Sequence, residues 1–363
     1  MEKFEIDSDI TRARTLPARV YSEPDYYALQ KGRIFARSWQ WVGDSAKMRA
    51  PLHLLPVTLL EGCLDEPVVL ASDDSAKLRC LSNVCTHRGA IVVEGESHAR
   101  SLRCRYHGRR FNLDGTLASM PEFESTVGFP AESDNLRQLK LEQFGPLLFA
   151  GIDPAMSFED WIAPVLERVE WMPLDTFRRD AKSSHDYLIE ANWALYCDNY
   201  LEEFHIPYVH AGLAEKLDYA NYRTERFGFS NLQLGIARQG EPAFELPEGH
   251  PNSGERVAAF YFWLFPNTML NFYPWGLSLN VVTPLAVNRT RVSFHSYVWR
   301  EELREDGAGA NLHAVEMEDE EVVESVQRGV KSRVYNRGRY SERREVGTHH
   351  FHELLAKFMF EKS

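Results

Sequence analysis

The chain has 363 residues, of which 44% are hydrophobic and 12% aromatic, and it carries a formal net charge of −12. This length exceeds what one hydrophobic core usually spans, and the apolar content excludes a disordered chain, so we expect two packed domains. The acidic balance argues against nucleic acid as a partner. Three of the five cysteines, Cys63, Cys80 and Cys197, have no regular spacing, which is typical of buried thiols in a reducing compartment. Because neither a signal peptide nor an apolar run of about eighteen residues is found, we expect a cytoplasmic protein that makes no membrane contact.

The first part of the chain predicts an arm and then a β domain. A proline-marked entry and a helical pattern over residues 25–40 indicate an arm at residues 1–37, which we expect to pack on the C-terminal domain. Short β-branched or alternating runs predict strands within residues 52–60, 67–72, 77–84 and 141–153. Asp114 and Gly115 form the Asp-Gly pair of a tight hairpin. The sequence therefore predicts an all-β domain over residues 38–152.

Residues 153–363 predict a second domain that contains both strands and helices. A strand is expected at residues 181–192, followed by a helix with one apolar face made by Trp193, Cys197, Tyr200 and Phe204. A series of strands is expected within residues 256–299, and helices at about 313–334 and 349–361. Many antiparallel strands with the helices kept to one side form an α+β pattern.

Two short loops each carry one cysteine and one histidine: Cys85, His87, Cys104 and His107. Two thiolates and two imidazoles can hold a structural zinc or a [2Fe–2S] cluster, and the ligand count alone leaves both open. The mixed pair on each loop suits an asymmetric cluster, because each loop must then supply a ligand to both irons. Gly89 and Gly108 follow the two loops and allow the backbone to turn tightly.

The pattern C-x-H followed by C-x-x-H resembles the Rieske motif, and CTHRGA and CRYHGRRF resemble its form in Rieske non-haem iron oxygenases. Ala90 stands where the cytochrome bc1 type has a further cysteine. The resemblance implies a [2Fe–2S] cluster, a helix-grip catalytic domain with Fe(II), and O₂ as co-substrate. It also implies a homotrimer. Because no G-x-G-x-x-G nucleotide motif follows a strand, NAD(P)H would be used indirectly, through a separate flavin and iron–sulfur reductase.

A second group of candidate ligands lies at Glu202, His205 and His210. Glu202 and His205 are three residues apart and would share one face of a helix. Pro207 would end that helix, so that His210 can return towards His205. Two imidazoles with room for one carboxylate are the beginning of a facial triad for ferrous iron. The spacing alone also fits two unrelated histidines. Because the Rieske-like motif lies upstream, however, the pattern E-x-x-H-x-x-x-x-H at residues 202–210 resembles the iron-binding motif of these oxygenases.

The third ligand is expected in the acid-rich stretch 315–329, which offers six carboxylates. Only Asp319 has valines at the third, fourth and seventh positions after it, so we expect it alone to share the buried face of the helix. The family resemblance of ED followed by ExxQRG selects the same aspartate. Four of the other five acids are expected to face solvent: Glu318, Glu320, Glu321 and Glu324.

The resemblance also implies roles for two further residues near these ligands. In the family an acid at the position of Glu202 links an iron-ligating histidine to a cluster histidine of the neighbouring subunit, which would connect His107 with His205. A carboxylate between two ring N–H groups fixes both tautomers. Asn199 corresponds to an asparagine near the iron in related enzymes.

The substrate is predicted from an aromatic stretch, residues 260–275. Four of its residues are candidates for lining a pocket: Trp263, Phe272, Tyr273 and Trp275. An aromatic cage suits a quaternary ammonium group, although these residues also fit the core of alternating strands. HIPYVH and YSERREVGTHHFH resemble the subgroup that oxygenates choline, glycine betaine and carnitine.

The sequence therefore predicts a monooxygenase or dioxygenase acting on a quaternary ammonium or N-methylated amine. Hydroxylation or O-demethylation of an aromatic compound is the alternative within the same class. A Rieske electron carrier, or a ligand-binding protein without a working mononuclear iron, is the alternative from another class.

Overall fold

The computed structural model describes residues 2–361 of the chain. Its residue contacts form two compact units, one of Ala36–Ala155 and one of Met1–Phe35 together with Met156–Ser363. The domain boundaries that we predict from the sequence, at residues 38–152 and 153–363, stay predictions. No helix within residues 2–361 combines the length and the apolar character needed to span a bilayer.

The Ala36–Ala155 unit consists of antiparallel strands. Its strands are β1 Gln40–Asp44, β2 His53–Leu59, β3 Glu66–Ser72, β4 Leu78–Ser82, β5 Ser97–His98, β6 Leu102–Arg103, β7 Arg110–Phe111, β8 Leu117–Ser119, β9 Gln138–Phe144 and β10 Leu147–Gly151. A seven-stranded sheet has the order β1-β10-β9-β4-β3-β2-β5, and a three-stranded sheet has the order β6-β7-β8. The two cysteine-and-histidine loops follow β4 and β6, so each is anchored by a strand of a different sheet.

The second unit is built on one seven-stranded antiparallel sheet with the order β11-β17-β16-β15-β14-β13-β12. These strands are β11 Arg178–Ile189, β12 Arg223–Arg226, β13 Ser230–Ile236, β14 Val257–Leu264, β15 Thr268–Tyr273, β16 Gly276–Ala286 and β17 Arg289–Val298. Most residues of β13 to β17 are buried. The α+β prediction is confirmed, while β12 and β13 are strands that the sequence analysis did not predict.

Seven α-helices are described: α1 Pro24–Arg33, α2 Phe158–Val169, α3 Trp193–Tyr200, α4 Ile206–Val209, α5 Ala211–Lys216, α6 Leu312–Gly329 and α7 Val346–Phe360. Short 3-10 helices lie at Ala18–Tyr21, Phe35–Arg37, Ser45–Met48, Glu132–Asp134, Leu174–Thr176, Glu301–Leu303 and Gly307–Gly309. Helix α3 contacts α6, α7 and β16, and is therefore central to the second unit. The indole N–H of Trp193 in α3 donates to Gln30 Oε1 in α1 at 2.9 Å, which fixes the N-terminal arm against α3.

The helix predicted through residues 193–205 is shorter in the structure. Asn192 caps the N-terminus of α3, because its side chain accepts a hydrogen bond from the Ala194 amide. The helix ends at Tyr200, and Phe204 is 44% exposed instead of lying on the predicted apolar face. Pro207 does not end a helix but lies in the first turn of α4, where its fixed φ and missing N–H are tolerated.

His350 is a histidine of α7 in the core of the second unit. Its Nδ1 lies 2.9 Å from the side-chain oxygen of Asn231, and its ring is buried. Burial, assisted by the charge of Arg226 and by His349, lowers the pKa of His350 to about 3. The unfolded chain takes up a proton on this ring below roughly pH 6.5, whereas the folded chain does so only near the lowered pKa. Stability should therefore fall as the pH decreases from about 6.5 towards about 3.

We predict that His350→Asn reduces this pH dependence, since the amide keeps an N–H for Asn231 but does not titrate. The free energy of unfolding should change less steeply with pH, by up to about 1.4 kcal/mol per pH unit. Urea unfolding at several pH values between 7 and 4 measures the slopes. The exposed His185, changed to Asn, is the control and should keep the wild-type slope. Equal slopes for wild type and His350→Asn would contradict the prediction.

Candidate metal centres and cavity

The two cysteine-and-histidine loops have the same backbone geometry. The Gly89 amide donates to Cys85 O at 2.9 Å, and the Gly108 amide donates to Cys104 O at 3.1 Å. Both glycines have positive φ, +73° and +77°, which an L side chain adopts only with strain. Cys85 and Cys104 are buried in one apolar cluster with Phe111, so the two sulfurs are presented from the core of the unit.

The two histidines of these loops meet at the surface of the unit. His87 Nδ1 lies 3.1 Å from His107 Nδ1, and neither ring is buried. Two sulfur and two nitrogen donors on two similar loops fit a cluster in which one iron takes cysteines and the other takes histidines. The structure thus brings the two cysteines into one buried cluster and the two histidines into contact at the surface.

Asp134 ties the two loops together, which the sequence analysis did not predict. Its backbone oxygen accepts from the Thr86 hydroxyl at 2.7 Å, and its carboxylate accepts from the buried Arg109 guanidinium at 2.5 Å. The Ala131 amide and the Arg109 guanidinium hold the pKa of Asp134 below its usual value. Arg109 directly follows the second loop, and the pair therefore fixes one loop relative to the other. A buried arginine cannot be recognised from its position in the sequence alone.

Three side chains converge in the second unit. His205 Nε2 lies 3.1 Å from His210 Nε2, and Asp319 Oδ1 lies 3.0 Å from the latter and 3.6 Å from the former. Within residues 2–361, these three form the one group of at least three His, Cys, Asp or Glu side chains close enough to share a metal ion. Asn199 Nδ2 donates to Asp319 Oδ1 at 2.6 Å and orients this carboxylate.

The outer nitrogens of both rings are held by carboxylates. Glu202 Oε1 lies 2.6 Å from His205 Nδ1, and Glu318 Oε2 lies 2.7 Å from His210 Nδ1. Each carboxylate requires an N–H at Nδ1, so both Nε2 atoms present lone pairs to each other and to Asp319. Three acceptors facing one another repel unless a cation or a proton lies between them. This donor set fits a divalent metal with two imidazoles and one carboxylate.

The negative charge around His210 also supports a metal site. Burial of the ring lowers its pKa, but the hydrogen bonds and charges of Asp319 and Glu318 outweigh burial and raise the pKa above its ordinary value. The site therefore carries an excess of negative charge that a bound cation would neutralise.

The link between Glu202 and His205 differs from the expectation in one respect, because these residues lie in the turn between α3 and α4 and not on a helix face.

The buried face of α6 differs from the one predicted. Glu316, Val323 and Gln327 are buried, whereas Val326 is 43% exposed. The face that contains Asp319 is therefore only partly apolar. The side chain of Glu318 is 45% exposed, as expected for an acid that faces solvent, and it also accepts a hydrogen bond from His210. Glu324 is half-buried, and its Oε1 accepts from the Glu190 amide at 3.0 Å. Hydrophobic spacing cannot identify an acid such as Glu316, which is buried and accepts from a tyrosine.

A buried ion pair holds the turn between α3 and α4. Glu203 is buried, and its Oε1 accepts from Arg344 Nη1 at 2.9 Å. The same guanidinium lies 4.0 Å from the centre of the Tyr219 ring, and burial raises the pKa of Glu203. Neighbouring acids in the sequence thus have separate functions: Glu203 anchors the turn, and Glu202 contacts His205.

A cavity of about 100 Å³ lies next to the three converging side chains. Its aromatic lining consists of five tyrosines and one phenylalanine: Tyr196, Tyr200, Tyr222, Tyr261, Tyr273 and Phe294. Its polar lining includes Glu316 and three amides: Gln233, Asn271 and Asn280. The described residues that line the cavity include neither lysine nor arginine. The cavity therefore combines aromatic rings with a surplus of acidic groups.

Of the four aromatic residues predicted to line a pocket, only Tyr273 lines this cavity. Phe272 points to the other face of β15, since neighbouring strand residues alternate, and its ring lies 6.4 Å from that of Phe262. Trp263 packs on Phe351 of α7 with ring centres 5.1 Å apart. Trp275 stacks behind Tyr273 at 5.4 Å. These three side chains fill the core.

Two family models match the chain. The Rieske [2Fe-2S] domain matches residues 38–138, and the ring hydroxylating alpha subunit (catalytic domain) matches residues 165–361. The first contains the two cysteine-and-histidine loops, and the second contains His205, His210 and Asp319.

Relatives with assigned activities cover almost the whole chain. Chloroplastic choline monooxygenase of Arabidopsis thaliana is 31% identical, over 97% of this chain and 85% of the relative. The carnitine monooxygenase oxygenase subunit of Escherichia coli K12 is 32% identical, over 95% of this chain and 94% of the relative.

Solved structures agree with these sequence matches. The quaternary ammonium Rieske monooxygenase CntA has a TM-score of 0.79 and 26% identity, over 99% of this chain and 100% of that chain. CntA in complex with L-carnitine gives a TM-score of 0.76 at 25% identity, with the same coverage. Naphthalene 1,2-dioxygenase from Rhodococcus, at 19% identity over 95% of this chain and 94% of that chain, has a TM-score of 0.71 and shares the fold.

Metal content tests the two groups of ligands separately. With a [2Fe–2S] cluster on the loops and one iron between His205, His210 and Asp319, the purified chain should contain about three irons. His205→Ala should lower this to about two and leave the visible absorption of the cluster unchanged. His185→Ala, which changes an exposed histidine, should retain the wild-type content. Equal iron in wild type and His205→Ala would refute the mononuclear site.

Proposed function

The chain belongs to the family of Rieske non-haem iron oxygenases as an α (oxygenase) subunit, and we propose that it oxidises a quaternary ammonium or N-methylated amine. The family's cofactors are a Rieske [2Fe–2S] cluster and Fe(II), with O₂ as co-substrate and electrons supplied by a reductase. Membership therefore makes the chain an oxidoreductase that incorporates oxygen from O₂. The substrate and the roles of individual residues are the proposal.

We assign the four loop residues, Cys85, His87, Cys104 and His107, as ligands of the cluster. We assign His205, His210 and Asp319 as ligands of the mononuclear iron. The observation that carries this assignment is the convergence of two imidazole nitrogens and one carboxylate oxygen at the wall of the cavity. When bound, the cluster supplies single electrons, and the ferrous ion supplies the position at which O₂ is activated.

The surrounding residues hold these ligands in place. Glu202 and Glu318 fix the tautomers and ring planes of the two histidines, and Asn199 fixes one oxygen of Asp319. Glu202 is in addition the proposed connection to a cluster histidine of the neighbouring subunit in a homotrimer. A ring of three subunits would give every iron one such connection.

The composition of the cavity supports a small cationic substrate. Aromatic rings attract an ammonium group through their π faces, and the acidic lining contains no positive charge that would repel it. Choline monooxygenase and carnitine monooxygenase, the relatives described above, are named for trimethylammonium compounds.

The proposed reaction inserts one oxygen atom of O₂ into a C–H bond of an N-methyl or N-methylene group. Two electrons and two protons reduce the second oxygen atom to water. The resulting N–CH₂OH group then loses formaldehyde, which breaks the C–N bond and leaves the demethylated amine. Oxidation at a methylene group would instead release the amine and an aldehyde of the remaining chain.

We further propose that a separate flavin and iron–sulfur reductase, reduced by NAD(P)H, delivers the electrons, because the chain contains no nucleotide-binding motif. A cytoplasmic location is part of the same proposal. The cysteines form no disulfide within residues 2–361, which agrees with a reducing compartment. The domains proposed for these functions are residues 38–152 for the cluster and residues 153–363 for the iron, with residues 1–37 as the arm.

A product screen tests the substrate class. With a surrogate reductase, wild type should convert at least one of choline, glycine betaine, carnitine and γ-butyrobetaine, with one aldehyde formed for each O₂ consumed. Aromatic compounds should give O₂ consumption without a hydroxylated product. A hydroxylated or O-demethylated arene, with no product from any of the amines, would favour the aromatic alternative and contradict our proposal.

Glu202→Gln tests the proposed connection. The amide oxygen can still accept from His205 Nδ1, so the iron content should remain at the wild-type value. Loss of the charge should lower turnover by roughly tenfold or more, the range expected when the partner of a ligating histidine is changed. Glu215→Gln, which changes an exposed acid of α5, is the control. Wild-type turnover in Glu202→Gln would exclude a role for this carboxylate.

A further inference from the structure

Glu316 is a buried acid of the cavity that has no assigned role among the proposed metal ligands. It lies on α6 one turn before Asp319, and 2% of its surface is exposed. Its Oε2 accepts a hydrogen bond from the Tyr196 hydroxyl at 2.6 Å. Its Oε1 has no hydrogen-bond partner within residues 2–361. A buried carboxylate with an unpaired oxygen costs several kcal/mol of solvation, so its retention calls for a partner from outside the chain.

The protein itself provides no cation for Glu316. The residues that line the cavity, as far as the structure describes them, include no lysine or arginine. Burial raises the pKa of Glu316 well above its ordinary value, and the charges of Asp319 and Glu320 add to the effect of burial. A ligand with a positive charge would relieve this situation, because it would pair with the unbonded oxygen.

The other walls of the same cavity suit a positive ligand without N–H groups. Tyr261, Tyr273 and Phe294 line it, and the rings of the two tyrosines meet edge to face with centres 5.8 Å apart. Aromatic faces attract a trimethylammonium group, which has no proton with which to form a strong hydrogen bond. Aromatic rings alone attract such a group weakly, and a carboxylate adds a full opposite charge.

We propose that Glu316 recognises the positive charge of the substrate and thereby makes the enzyme specific for quaternary ammonium compounds. Its Oε1 is the counterion of the trimethylammonium group, and Tyr196 holds the carboxylate in position through Oε2. This inference rests on the proposed function, because it names the residue that selects the substrate class. It assigns to Glu316 a specificity-determining role that is separate from the chemistry at His205, His210 and Asp319.

A purely structural role would have different consequences. The hydrogen bond between Tyr196 and Glu316 joins α3 to α6, so its loss would lower the stability of the protein. If Glu316 had only this structural role, its replacement would weaken the binding of charged and uncharged ligands of the same shape equally. Discrimination between such a pair is therefore the quantity that separates the two roles.

The test compares choline with 3,3-dimethylbutan-1-ol, in which carbon replaces the charged nitrogen in an otherwise matching shape. Isothermal titration calorimetry measures both affinities with the iron-loaded, cluster-containing protein. Wild type should prefer choline by on the order of 30-fold or more, the effect expected for a desolvated charge pair. In Glu316→Gln, which keeps the shape and an acceptor for Tyr196, the preference should decrease to the few-fold effect of the aromatic rings.

Two further variants make the result unambiguous. Glu321→Gln removes an exposed acid of the same helix that does not line the cavity, and it should retain the wild-type preference. Glu316→Met is a second neutral replacement of similar size, so that either variant suffices if the other does not fold. Thermal unfolding and the cluster absorption identify the folded variants.

A preference for choline that persists in folded Glu316→Gln or Glu316→Met would overturn the inference and leave the proposed function intact. Equal affinity of wild type for the two compounds, or binding of neither, would also overturn it. The aldehyde screen with wild type decides the proposed function independently, since it does not depend on how the cation is recognised.

Discussion

The site in the second unit depends on the electrostatic repulsion between three hydrogen-bond acceptor atoms that point at one another. His205, His210 and Asp319 bring three acceptors to within 3.6 Å of one another, and the acids on the outer nitrogens prevent the rings from turning their N–H groups inward. Either a metal ion or a proton between the three atoms removes this repulsion. The surrounding hydrogen bonds to Glu202, Glu318 and Asn199 therefore provide rigidity before the metal binds, and the metal in turn removes the electrostatic cost of holding three acceptors together.

The local backbone shows how the sequence achieves this geometry. A continuous helix from Trp193 through His210 would place the two histidines five residues apart and on different faces. Ending α3 at Tyr200 and restarting the helix at Ile206, with Pro207 in its first turn, turns both rings to the same point. The buried pair of Glu203 and Arg344 holds the intervening turn. Two cavity tyrosines, by contrast, come from α3 itself, so one helix and the turn after it supply much of the active-site wall.

The metal ligands could be predicted from the sequence because metals require particular side chains at short, recurring spacings. The cavity lining could not be predicted in the same way. Alternation along a strand indicates which residues share a face, but not where along that face a cavity opens, so Tyr273 was identified together with three core residues: Trp263, Phe272 and Trp275. The valine pattern selected Asp319 although Val326 is exposed, which shows that the family resemblance was the stronger argument there. Glu316 and Glu318 were missed because hydrophobic periodicity treats every acid as a surface residue.

The positions of the two acids on α6 connect specificity with the site of reaction. Glu316 and Asp319 are three residues apart, which corresponds to about 4.5 Å along a helix axis, and both face the same cavity. One carboxylate belongs to the metal site, and the other, on our proposal, holds the charged nitrogen of the substrate. A rigid helix thus sets the distance between them. On this proposal, the carbons attached to the charged nitrogen are held on the side of the cavity that Asp319 lines. Charge recognition on this helix would therefore also determine which C–H bond is oxidised.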